Sequence, residues 1–125
     1  MSNFHIVQGG VENGDYAWLQ RAGLKSVSSP WVVPKGAAPG DIVAVFVRPH
    51  GFVATAVVTE VPKLRPDWKN RYRSRLTGFR SLDPPVELEE IESLVPDFGW
   101  AQYPRSITTP DPSIAAKIQR LLARR

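Results

Sequence analysis

Between Pro62 and Arg80 the chain sets seven cations, Lys63, Arg65, Lys69, Arg71, Arg73, Arg75 and Arg80, against one acid, Asp67, and places Trp68 among them. The segment is more positive than the whole chain, whose formal net charge is +4. Cations beside an aromatic platform are suited to holding a nucleic-acid backbone while one base stacks. The plain alternative is a solvated basic loop beside an acidic helix, because Glu87, Glu89, Glu90 and Glu92 gather the opposite charge just downstream.

A second tryptophan stands between two prolines in Ser28-Ser29-Pro30-Trp31-Val32-Val33-Pro34. Trp31 and Trp68 both fall in irregular, proline-containing stretches at strand ends, where an indole is exposed unless something stacks on it. Trp18, on a predicted helix, and Trp100, in a predicted extended piece, have more apolar neighbours and are read as core.

Other chemistries find little support. The only histidines are His5 and His50, read as a strand-edge residue and a turn residue, without the paired spacing of a metal site. There is no cysteine and no Gly-x-Ser-x-Gly elbow. Gly9 and Gly14 have the spacing of a phosphate loop, but Asp15 and Tyr16 stand where lysine and Ser/Thr would grip phosphate and magnesium. What survives there is a tight turn, or a loop whose backbone amides face a neutral ligand. The expectation is a protein that is not an enzyme, with no cofactor and no metal.

The elements that must position these residues follow from periodicity and punctuation. With 125 residues, 42% of them hydrophobic, the chain is read as one domain, 1–125, able to bury a core without disulfides. Phe4 to Gln8 reads as a first strand, and a helix capped by Asn13 or Asp15 should run to Gly23. Asp41 to Val47 and Phe52 to Val61 read as a central antiparallel pair joined through Arg48-Pro49-His50-Gly51. Tyr72 to Leu82 alternates like a strand that Asp83-Pro84-Pro85 should end. Pro85 to Leu94 and Ser113 to about Ala123 have helical spacing, and Phe98 to Pro104 reads as extended. The fold class expected is α+β, a small, mostly antiparallel β-barrel with about three peripheral helices. No basic-then-apolar leader opens the sequence and no apolar run reaches a membrane span, so the expectation is a cytoplasmic protein without a membrane partner.

The order of these motifs resembles a known family. A strand followed by Gly-Gly-x-x-Asn-Gly-Asp, a helix, Ser-x-x-Trp-x-x-Pro, a Gly-Asp strand, Gly-Phe-x-Ala-x-x-x-Val, Asp-Trp-x-x-Arg-Tyr and Trp-Ala-x-Tyr-Pro-Arg-Ser-Ile-Thr-Thr-Pro resembles the EVE domains of the PUA-like superfamily. These are similar to YTH and ASCH domains and are often joined to HNH nucleases. The resemblance implies a PUA-like barrel that reads a modified base by flipping it between aromatic rings. Carried onto this chain, the rings are Trp31 and Trp68, and the base edge meets Gln8, Gly9, Gly10 and Asn13. A third wall would come from Phe46, Phe52 or Trp100. Lys63, Arg65, Lys69, Arg71, Arg73 and Arg75 would hold the backbone.

The expected partner is therefore nucleic acid, preferably DNA carrying 5-methylcytosine or 5-hydroxymethylcytosine, as in the specificity module of a modification-dependent restriction system. No HNH motif is present, so cleavage would need a nuclease effector in trans or in a segment beyond this chain. Stacking at roughly 1–3 kcal/mol per base offsets much of the few-kcal/mol cost of unstacking. A buried methyl adds only about 0.8 kcal/mol, so selectivity must also come from cage fit and edge contacts. The rival readings are a reader of modified or structured RNA, an ASCH-like small-molecule or nucleoside enzyme, and a protein-interaction domain with a filled barrel.

Overall fold

A computed structural model describes residues 3–9, 17–19, 28–48, 50–65, 71–102 and 107–124. Its strands are β1 (Phe4–Gly9), β2 (Ser28–Val32), β3 (Ile42–Val47), β4 (Gly51–Val58), β5 (Lys63–Arg65) and β6 (Arg71–Val86). Residues 17–19 are helical, and three further helices follow the sheet: α1 (Leu88–Leu94), α2 (Gly99–Gln102) and α3 (Pro112–Ala123). The strand order is β1-β3-β4-β6-β2, with β5 paired to β6. Only β1 with β3 is parallel; the other pairings are antiparallel.

The apolar run of β3 is explained by burial on both faces. Val43, Val45 and Val47 enter one cluster with Val7, Trp31, Leu76 and Phe79. Ala44 and Phe46 enter a second with Phe4, Ile6, Ile91 and Ile118. The first cluster fills the curl of the sheet, and the second lies under the helices. Within α3 the inward residues are Ala115, Ile118 and Leu122, and Pro112 opens the helix where a missing N–H costs nothing.

The expected hairpin forms, with Ile42 opposite Val57 and Val47 opposite Gly51. Gly51 has φ +101°, and a Cβ there would lie 2.3 Å from the Val86 carbonyl oxygen, so a side chain is excluded where β4 meets the end of β6.

Several boundaries depart from expectation. Trp31 lies inside a regular strand, β2, because Ser28–Val32 pairs with Thr77–Arg73 of β6. β6 runs through Asp83-Pro84-Pro85 to Val86 instead of stopping. The register jumps from Ala54–Ser81 to Phe52–Val86, so both prolines fall in a bulge where β4 asks for no N–H. β4 ends at Val58, leaving Val61 69% exposed. Trp100 lies in α2 and not in an extended piece, with Phe98 stacked on its ring at 5.7 Å. Of the predicted first helix, only residues 17–19 are described, and they are helical.

β1 and β2, the two ends of the strand order, are joined without a ladder. Ile6 exchanges backbone hydrogen bonds with Thr108 along the free edge of β1, at 2.8 and 3.0 Å. Two residues further along β1, the Gln8 carbonyl accepts a 2.9 Å bond from the Trp31 indole N–H. The sheet is a nearly closed barrel, and the Trp31 side chain crosses its seam.

Candidate functional site

Trp31 is 8% exposed. Alternation along β2 turns it inward opposite Ser74, and two rings cover it: Trp18 at 6.4 Å with a 35° tilt, and Phe79 at 6.4 Å and 55°. Trp18 also meets Phe79 edge-on at 5.1 Å. The segment carrying Trp18 is fixed by Leu19, which is fully buried and whose carbonyl accepts a 2.7 Å bond from the Ser81 hydroxyl. The expectation of an exposed indole at position 31 is corrected. Its N–H is satisfied by the Gln8 carbonyl and the ring packs against its neighbours, so it is buried and not open to solvent.

Gln8 and Gly9 are half-buried at the end of β1 beside this indole. Gly10, Asn13, Trp68 and Lys69 lie outside the described residues, so the Trp31–Trp68 pairing has no geometry here. Phe52 does not join Trp31: it is fully buried in the helix-covered cluster, against Phe46 at 5.4 Å and Trp100 at 6.0 Å. All three candidates for a third wall belong to that cluster, because alternation along β3 and β4 turns Phe46 and Phe52 toward the helices.

The basic segment folds into a two-stranded extension beyond the barrel. Its register sets Lys63 opposite Arg73 and Arg65 opposite Arg71, with Leu64 opposite Tyr72. Like charges in directly opposed positions disfavour a sheet pair, and this register sets four cations in two such positions. Lys63 is exposed and Arg73 half-buried. Arg75, next on the same face of β6, lies 3.7 Å from Glu60, with both side chains about half exposed at 48% and 49%. Such a pair contributes little in water. Arg80 is turned to another use, donating a 2.7 Å bond to the Leu122 carbonyl at the C-terminal end of α3.

On the other face of the hairpin, Tyr72 continues the inward column of Leu76 and Ser74. The barrel stops beneath it, since β4 ends at Val58, opposite Leu76. Leu64 is 48% exposed, and the Lys35 ammonium stands 5.8 Å from the Tyr72 ring centroid. Sequence reasoning did not single out Tyr72 as a site residue, whereas Trp18, read there as core, packs against the buried cluster inside the barrel. The signal for Tyr72 was the alternation Lys-Leu-Arg and Arg-Tyr-Arg, which gains meaning only once the two triplets are paired.

A second polar group escaped sequence reasoning altogether. His5, 2% exposed, places Nε2 2.8 Å from Asp41 Oδ2 and Nδ1 2.7 Å from the Thr109 hydroxyl. Asp41 also accepts the Asn3 N–H at 3.0 Å and the Ala38 N–H at 2.9 Å. Burial pushes the Asp41 carboxyl up, but the His5 hydrogen bond, the two backbone N–H groups and the charge on His5 outweigh it, so its pKa is lowered. His5 is therefore no simple strand-edge residue; it ties the start of β1 to the turn before β3 and to the 107–110 segment. Among the described residues no grouping of His, Asp or Glu could hold a metal ion, and no helix is long and apolar enough to cross a membrane.

No protein-family model and no curated protein matches the chain. Solved structures of similar shape do exist. A hypothetical protein from Leishmania major is 15% identical over 99% of this chain and 96% of that one, with a TM-score of 0.69. The ASCH protein from Zymomonas mobilis is 14% identical, covering 95% of each chain, with a TM-score of 0.57. The YTH domain of Zygosaccharomyces rouxii MRB1, in complex with N6-methyladenosine RNA, is 15% identical over 97% of this chain and 86% of that one, with a TM-score of 0.54. The chain shares its fold, a small α+β domain with a mostly antiparallel, nearly closed barrel, with those ASCH and YTH structures.

Proposed function

We propose that this protein is a non-enzymatic module that binds nucleic acid and reads a modified base. The observation that carries the reading is the cross-strand register of Lys63 with Arg73 and Arg65 with Arg71. That register gathers four cationic positions on one face, and cations so placed suit a phosphate backbone, where they replace the counterions that the strand releases. The base is taken to seat at the Gln8–Gly9 end of β1, beside the buried Trp31, and Trp68 is the ring expected to close over it. The preferred target is DNA carrying 5-methylcytosine or 5-hydroxymethylcytosine, with any nuclease supplied by a partner.

A second reading, modified RNA, is favoured by one specific likeness: the YTH neighbour was solved with N6-methyladenosine RNA. The same basic face and base seat would serve either polymer. Labelled strands with and without the modified base, titrated by fluorescence anisotropy, test the proposal. Tighter binding of a modified strand, with the preference lost in Trp31→Ala or Trp68→Ala, is the expected result. Equal affinity for modified and plain strands overturns the reader. Direct competition between methylated DNA and methylated RNA decides the polymer.

A further inference from the structure

We propose that Tyr72, backed by Leu64 and capped by Lys35, is a second stacking platform, for a base of an unpaired strand next to the one being read. The inference rests on the nucleic-acid reading above and adds a contact that does not depend on the modification.

Three observations converge on this ring. The register places Tyr72 opposite Leu64 in the middle of a hairpin whose flanking positions on both strands are cationic, Lys63 and Arg65 on one and Arg71 and Arg73 on the other. Leu64 is 48% exposed, and Val61, just before the hairpin, is 69% exposed, so apolar surface lies open beside the ring. The Lys35 ammonium sits 5.8 Å from the ring centroid, within the range of a cation–π contact. A hairpin made only to close the barrel would not expose leucine between cations. A strand that stacks one base while its phosphates meet the neighbouring cations uses every one of these groups.

Lys35 is itself exposed. Its contact with Tyr72 is therefore one that a base can displace, since an exposed cation–π pair is weaker than a base stacked on an aromatic ring. On displacement the ammonium is free to meet a phosphate, and no charge is left buried.

The test uses fluorescein-labelled single strands, one plain and one carrying a modified base, titrated into the full chain and three variants. Tyr72→Phe and Tyr72→Trp keep the ring and are expected to bind as the wild type. Tyr72→Leu keeps an apolar pair with Leu64 and is expected to bind both strands roughly tenfold more weakly, with the modified-to-plain ratio unchanged. Irradiation of the wild type with a 5-iodouridine strand is expected to yield an adduct at Tyr72, a readout independent of how the variants fold. Wild-type affinity in Tyr72→Leu, or adducts that avoid Tyr72, overturns the platform while leaving the reader in place. Failure of the wild type to bind any strand overturns the reader, and the platform with it.

Discussion

At the scale of single residues, the best-determined polar arrangement is His5 between Asp41 and Thr109. The imidazole sets Nε2 2.8 Å from Asp41 Oδ2 and Nδ1 2.7 Å from the Thr109 hydroxyl, and the network depends on Asp41 staying ionised to accept from the ring and from two backbone N–H groups. The Asp41 pKa is lowered in the folded chain, so its stabilisation is complete above the unfolded value, near 3.8, and is lost as pH falls through the folded value. Asp41→Asn is expected to be less stable at neutral pH and to lose part of the decline below pH 4 that the wild type shows in urea midpoints. His5→Ala leaves the carboxylate buried with one partner fewer, at a cost of roughly 3 kcal/mol or more by chemical denaturation. None of this was legible in the sequence, because His5, Asp41 and Thr109 lie far apart in the chain and each alone is an ordinary strand, turn or loop residue. Trp31 was legible as important and misread as exposed, since flanking prolines suggested irregular backbone where β6 provides a strand partner.

At the scale of elements, the hairpin of β5 and β6 combines directly opposed cations with the face proposed to meet a polyanion. Lys63→Glu separates the two properties. It places an acid opposite Arg73, converting a repulsive pair into an attractive one, and is expected to raise stability by up to about 1 kcal/mol. The same change should weaken nucleic-acid binding and lower the steepness of log K against log salt by about one phosphate contact or more. Melting temperature and salt-dependent affinity measured on one preparation check both. A fall in stability, or unchanged affinity, contradicts the assignment of this face. The strands themselves were largely readable, β3 from its β-branched run and the β3–β4 hairpin from the Pro and Gly in its connection. Their extents were not. Asp83-Pro84-Pro85 looks like a strand end because proline lacks an N–H, and nothing local reveals that β4 is bulged away from that stretch.

At the scale of the whole molecule, the barrel closes through a side chain. The strands at the ends of the order, β1 and β2, share no ladder among the described residues, and the Trp31 indole N–H reaches across to the Gln8 carbonyl at 2.9 Å. The aromatic order Trp18, Trp31 and Phe79 therefore fills the core and also holds the seam beside the proposed base site. Trp31→Phe keeps an aromatic ring and deletes the bond, leaving the Gln8 carbonyl to find water. The expected cost is about 1 kcal/mol, read as a lower urea midpoint with an unchanged m-value, because the surface exposed on unfolding stays nearly the same. The loss should also be local. Amide exchange is expected to quicken in β2 and at the Gln8 end of β1, while β3 and β4, covered on both faces, keep their protection. Uniform acceleration across all strands would mean that Trp31 acts through general core packing and that the seam is held by other contacts. Acceleration confined to β1 and β2 would place the weakest part of the barrel at the end of β1, beside the proposed base site, and would make the indole the fastening of that end.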